Sequence, residues 1–362
     1  MAVTTRVGGP ASTGRTSWRR AGRSALLLGM TLAAAGCWSD LGTLGGPGSA
    51  ATDVNDHGVV VGVSTVDDDS SASHAFIRRP GAEMVDLNGD YLATQANAVN
   101  EHSVIVGEAY REGVSARAVM WDADGDPHEL PVPTVYQSGA SDLNDAGQVV
   151  GSSTPEATNE RRAYVYDTTD GELTWLPFGR DARGVNEGGE IVGTACVGTT
   201  CVGALWTESD TPGAYDVVAL PGVGGRPSAS AEDINDAGQI VGRGPVPGPV
   251  YQAILLWNDP LQPPVEVPVP GTPYSHAAAI GDDGRIVGYA AHTAPDATTA
   301  GRAFVFDPDG GGLTSLGPPD RHSSATAINR RGQISGAVST GEPPPDEEAP
   351  EPNHAVLFAA PR

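Results

Sequence analysis

The side chains of this 362-residue chain that could do chemistry are few and scattered. Its eight histidines, at His57, His74, His102, His128, His276, His292, His322 and His354, show no pair with the spacing of a helical metal site. There is also no Gly-x-Ser-x-Gly nucleophile elbow. One acidic phrase recurs, at 53–58, 142–147 and 233–238: Asp, an aliphatic residue, Asn-Asp, any residue, Gly. Oxygen-bearing side chains alternating ahead of a glycine resemble a calcium loop. No acid stands where such a loop closes with a bidentate ligand, and Asx-turn chemistry accounts for the same residues. Calcium therefore remains an alternative, and no other metal or cofactor is expected. Of the three cysteines, Cys196 and Cys201 flank four residues containing a turn, a separation that suits a disulfide in an exported protein.

Export is legible at the N-terminus. Residues 1–36 carry five arginines and no acid, followed by the apolar run 25–35, the layout of a signal peptide. Arg19-Arg20 leaves Sec and twin-arginine export both open. The run ends Ala34-Ala35-Gly36-Cys37, which resembles a lipoprotein box with Cys37 as the lipidated mature N-terminus; ordinary cleavage after Ala35 and secretion is the alternative. A diacylated Cys37 would anchor the chain through two acyl chains, so membrane contact is expected through the lipid only. The chain contains no lysine, and its formal net charge is −24. Without the five leader arginines, 16 basic side chains face 45 acidic ones, leaving −29. Such a surface repels nucleic acid, which is not expected as a partner.

The elements that must position these residues repeat seven times. Each repeat holds a short strand, then Asn-x-x-Gly (with Ser103 for the glycine once and Gly281 for the asparagine once), then an aliphatic strand closed by glycine. The closing glycines are Gly62, Gly107, Gly151, Gly193, Gly242, Gly288 and Gly336, spaced by 45, 44, 42, 49, 46 and 48 residues. A period in this range marks an array of supersecondary units. Within residues 45–88 the pattern reads as four strands separated by turn signals. Strand a has small residues, b is Val-rich, c carries an alanine and then an aromatic, and d is short. The aromatics Trp121, Tyr166, Trp206, Trp257, Phe306 and Phe358 read as core. The mature chain starts with a d-type strand at 40–44 and ends with a c-type strand at 355–358. The sequence thus predicts an all-β fold, a seven-bladed β-propeller of four-stranded antiparallel blades, in which the N-terminal strand completes the last blade. An open β-solenoid is the alternative. The expected organisation is 1–36 export signal, 37–39 anchored linker and 40–362 propeller.

The run Asp40-Leu41-Gly42-Thr43-Leu44-Gly45-Gly46, the Asn-x-x-Gly-x-Val-Val-Gly phrase and His74-Ala75-Phe76 together resemble the HAF family of extracellular repeats. The likeness extends over nearly all of 40–361. It implies an exported repeat protein of propeller type and carries no activity to transfer.

In a propeller the a–b and c–d turns share one face, and the b–c and d–a loops share the other. The second set varies more, and variable loops on a rigid scaffold are where binding resides. The candidate binding face comprises Asp67, Asp68, Asp69, Tyr110, Arg111, Tyr136, Phe178, Arg180, Arg226, Tyr274, His276, Arg321 and His322. Tyrosine and arginine are rich contributors to interface energy. The reading is a binding or scaffolding module at the outer face of the cytoplasmic membrane or cell surface, contacting a protein or an envelope glycan. An extracellular hydrolase or lyase with an axial active site is the alternative, and a calcium-dependent adhesin a further one. Whether the chain is an enzyme stays open.

Overall fold

The computed structural model describes residues 38–67, 72–158, 160–247, 252–269, 274–291, 301–341 and 352–359. These form seven four-stranded antiparallel sheets, each hydrogen-bonded in the order a, b, c, d. Blades 1 to 6 span residues 49–86, 93–129, 138–175, 179–219, 230–267 and 274–315. Blade 7 takes a, b and c from residues 323–359 and its outer strand from Trp38–Asp40. The turn-side ends of all seven a strands line a single axial cavity, which makes strand a the innermost.

Closure follows the expected scheme with a shift in register. The N-terminal strand is Trp38–Asp40 rather than 40–44, and it pairs Trp38 with Phe358 and Asp40 with Val356. It stops there because the Asp40 carboxylate accepts the Gly42 N–H at 2.8 Å and Gly42 turns with a φ of 79°. Leu41 continues inward, buried against Ala51, Val54, Val60, Phe76 and Ala355. The histidine of His-Ala-Phe now has a role. His74 pairs with Asp86 at 2.8 Å and His354 with Asp40 at 2.7 Å, each tying strand c to strand d, the second across the ring closure.

The closing glycine of each repeat answers a bulge on strand a. All seven a–b pairs shift register after the same alanine: Ala51, Ala96, Ala140, Ala182, Ala231, Ala277 and Ala325. The bulge pushes the carbonyl of the preceding residue toward strand b. A Cβ on Gly193 would collide with the Asp181 carbonyl oxygen and lie 3.0 Å from the Ala182 Cα, and the other six glycines meet the same obstacle. Only glycine fits. In the a–b turns the glycine position needs a positive φ; Ser103, which replaces it once, takes a φ of 62°.

The core lies between blades. Seven apolar clusters occur, one at each blade–blade interface, including that between blades 7 and 1. Trp121, Trp206, Trp257 and Phe358 are fully buried there, while Tyr166 and Phe306 only pack against the edges. The strand-c alanine is less regular than expected. The register assigns its position to Gly203 in blade 4 and to Ile254 in blade 5, so Ala204 and Ala253 are each one residue out of phase.

Candidate functional site

The two faces of the ring differ in chemistry. On the turn face, the residue after each turn asparagine, or after Gly281 in blade 6, forms a ring of six carboxylates and one arginine: Asp56, Glu101, Asp145, Glu187, Asp236, Asp282 and Arg330. They surround a cavity of about 180 Å³. The ring is stitched. Asp56 N–H donates to Glu101, Glu101 N–H to Asp145, Asp145 N–H to Glu187, Glu187 N–H to Asp236 and Asp236 N–H to Asp282. Arg330 N–H closes the circuit on Asp56. The Arg330 guanidinium reaches Asp282 and Asp236, both at 2.6 Å, and these bonds raise its pKa.

The asparagines do the same one layer deeper. Each caps its own turn with Oδ1 and donates from Nδ2 to the carbonyl of the next blade's turn residue. Asn55 donates to Asn100, Asn100 to Asn144, Asn144 to Asn186, Asn186 to Asn235, Asn235 to Gly281, and Asn329 back to Asn55. Gly281 breaks the circuit once.

The aspartates that suggested a calcium loop belong to this stitching. Asp53 accepts N–H groups from Val54 and from Val99 of the next blade. Asp142 accepts from Leu143 and Val185, and Asp233 from Ile234 and Ile280. Packed among the a strands, these carboxyls lose most of their hydration, and desolvation dominates their titration. Burial pushes the Asp53 carboxyl up to about 6 and that of Asp233 to about 7, and it raises Asp142 well above the usual range. The phrase thus has its oxygens occupied by backbone donors, and no metal-binding group of side chains occurs among the described residues.

The loop face gathers the candidate binding residues. Asp68 and Asp69 lie outside the described residues, as does Cys37. Asp67 and Arg226 are exposed on the b–c loop of blade 1 and the loop between blades 4 and 5. Tyr110 donates its hydroxyl to Glu108, and Arg111 lies over the Tyr91 ring and pairs with Glu129 at 3.1 Å. Arg180 approaches Asp181 at 3.8 Å. Arg321 and His322 serve the scaffold: Arg321 donates to the Thr340 carbonyl, and His322 Nδ1 accepts the Gly301 N–H. His276 is half-buried, its ring stacked on Tyr289 of the adjoining strand b.

Tyr136, Phe178 and Tyr274 stand exposed on this face, joined by residues the sequence reading missed: Leu92, Val114, Val135 and Val197. With Tyr110 these make eight of the eleven exposed large apolar side chains among the described residues. Seven of the eight fall on blades 2 to 4, the loops between them and the loop leading into blade 2; Tyr274 alone is on blade 6. Phe178 is 63% exposed and holds a φ of 57°, a left-handed conformation that costs a bulky residue about 1 kcal/mol or more. Its carbonyl accepts the Cys196 N–H at 2.8 Å, so the Cys196–Cys201 hairpin buttresses the loop. That disulfide is present as expected, joining directly opposed residues of strands b and c, and Val197 at the hairpin tip is 70% exposed. The missed residues had no sequence signal beyond their position in loops.

A family described as a protein of unknown function (DUF3466) matches residues 47–177, the first three blades. No curated protein sequence matches the chain. Among solved structures, the β-propeller domain of the trilobed protease from Pyrococcus furiosus is similar at a TM-score of 0.56 and 10% identity, covering 86% of this chain and 93% of that one. That domain is described as having an open velcro topology, whereas here the first and last strands share a sheet. Puromycin hydrolase matches at 0.57 and 14%, covering 80% of this chain and 50% of that one. Acylaminoacyl peptidase from Pyrococcus horikoshii matches at 0.54 and 10%, covering 86% and 51%. The chain thus spans about half the length of these two enzymes. At such identities the likeness is one of fold alone.

Proposed function

We propose that this chain is an exported, lipid-anchored propeller of the HAF-repeat type that works as a docking module, binding a protein through the loop face of blades 2 to 4. The observation that carries the reading is the one-sided distribution of exposed apolar side chains. Solvated faces rarely gather such groups, and a rigid aromatic held against backbone strain is costly unless it is used. Aliphatic Leu92, Val114, Val135 and Val197 among the aromatics favour a protein surface over a glycan. The leader and the disulfide support export, and no helix among the described residues is long and apolar enough to cross a membrane.

The anchor reading also orients the ring. Strand d runs from the turn face toward the loop face, and Trp38 begins that strand in blade 7 opposite Phe358 near the turn side. On that reading the chain is tethered next to Trp38, on the turn side, which leaves the loop face directed away from the membrane. A photo-crosslinker at Tyr136 in intact cells is expected to give one dominant protein adduct, and one at the exposed Ala146 on the turn face none. A glycan adduct would overturn the choice of partner, and equal labelling from both positions would overturn docking. Cys37→Ala is expected to move the protein from the membrane to the soluble fraction; retention would overturn the anchor.

A further inference from the structure

Midway along strands a of blades 4 and 5 lies a charge cluster that links the two blades and leaves two guanidiniums partly exposed. The bulge residue of strand a is Thr52, Asn97 or Thr326 in blades 1, 2 and 7, and each side chain donates to a strand-a carbonyl of the next blade. Blades 4 and 5 place Arg183 and Glu232 at this position instead. Glu232, 5% exposed in its side chain, accepts from Arg183 Nη1 at 2.9 Å and from the Ser230 hydroxyl, and lies 3.3 Å from Arg243 Nε. His276 of blade 6 is within electrostatic reach of all three charged groups. Side chains from three successive blades can converge in this way only at the axis.

The balance of charge is unusual for so acidic a chain. Two guanidiniums face one carboxylate, and burial lowers the His276 pKa, which keeps that imidazole neutral at pH 7. The side chains of Arg183 and Arg243 are 40% and 37% exposed, and their remaining N–H groups have no partner among the described residues. Beside them the His276 and Tyr289 rings stack, centroids 5.6 Å apart, into a flat wall. A cavity of about 220 Å³ lies against Tyr289 between blades 6 and 7, lined also by His322, Ser323 and Asn353. Guanidinium forks match the planar geometry of a carboxylate. One net positive charge suits a monoanion, while Glu232 repels a dianion such as phosphate.

We propose that Arg183 and Arg243 form an axial binding site for the carboxylate of a small ligand, whose uncharged body meets the stacked His276 and Tyr289 rings. Two sources share this chemistry, an acidic sugar and a peptide C-terminus. The site shares no residue with the docking arc and stands or falls apart from it. The test is calorimetry on the mature chain with glucuronate against glucose, and with N-acetyl-diglycine against its amide. At least one acid is expected to bind while its neutral partner does not, and the pair that responds names the source. Arg183→Gln and Arg243→Gln are each expected to weaken binding about tenfold, the scale of a lost charge-assisted pair. Glu232→Gln is expected to tighten carboxylate binding and to admit phosphate, a gain that a merely structural bridge could not give. That arm decides the matter if the arginine variants misfold. Absence of acid binding at about 10 mM, binding that survives both arginine changes, or weaker binding in Glu232→Gln would overturn the proposal.

Discussion

Asn55→Asp separates two accounts of the repeated asparagine. As a turn former, asparagine is replaceable by aspartate, since both side chains cap the turn through Oδ1. The structure adds a demand that only the amide meets. Asn55 is 3% exposed, its Oδ1 accepts the His57 and Val59 N–H groups, and its Nδ2 donates to the Asn100 carbonyl at 2.9 Å. A carboxylate keeps the two acceptor contacts and sets an anionic oxygen against that carbonyl. The lost hydrogen bond costs about 1 kcal/mol and a buried charge facing an acceptor adds several more, so about 3–5 kcal/mol is expected at pH 7.5. In a chain of this size that lowers the melting midpoint by roughly 5–10 °C. A protonated aspartate can donate as the amide does, so the deficit relative to the parent is expected to shrink at pH 5. Thermal unfolding followed by circular dichroism at the two pH values is the assay. A variant melting within about 1 °C of the parent at pH 7.5 would refute the stitching argument. The reciprocal change, Gly281→Asn, restores the missing link to blade 7 and is expected to stabilise by about 1 kcal/mol, since Gly281 does not hold a positive φ.

Three further outcomes follow from the same geometry. Gly193→Ala drives a Cβ into the strand-a bulge and is expected to cost about 3 kcal/mol, whereas Gly48→Ala, whose Cβ would lie 3.4 Å from the Asn353 carbonyl oxygen, should stay within about 1 kcal/mol of the parent; equal denaturant midpoints for the two would sink the bulge argument. Leu41→Ala opens the ring-closing core and is expected to cost about 2–4 kcal/mol, and deletion of 38–45 more still, because it exposes the strand-c edge of blade 7; a truncated chain that melts like the parent would show that closure does not rest on this strand. Stability should fall as pH rises from about 4 to about 7. The folded state holds protons on Asp53 and Asp233, at about 6 and about 7, more tightly than an unfolded chain does, and neither contributes further change above that window. A higher melting midpoint at pH 8 than at pH 5.5 would contradict this sign.

The loop-face residues show where sequence reasoning stopped. Loop position alone placed Tyr136, Phe178 and Tyr274 on one face, because strand polarity in an antiparallel blade sends alternate connections to opposite sides. Leu92, Val114, Val135 and Val197 went unnoticed, since exposure of an aliphatic residue is a property of its neighbours in space. Arg183 and Glu232 left a fainter trace. Aligned by their closing glycines, the repeats put small or neutral residues at the bulge position in every other blade, and those two charges interrupt the pattern.

The sequence by itself determined the number of blades, the phase of their strands, the closing N-terminal strand and the disulfide, because periodicity, turn glycines and short separations are local and survive without a fold. Tertiary structure alone decided what the repeated polar residues do. Asn55, Asp53 and Asp56 each bond to a neighbouring blade 45 or 46 residues away or across the ring closure, to partners that no local pattern names. The axis likewise exists only once the ring is closed, and only then do Arg183, Glu232 and His276, from three separate repeats, come within reach of one another.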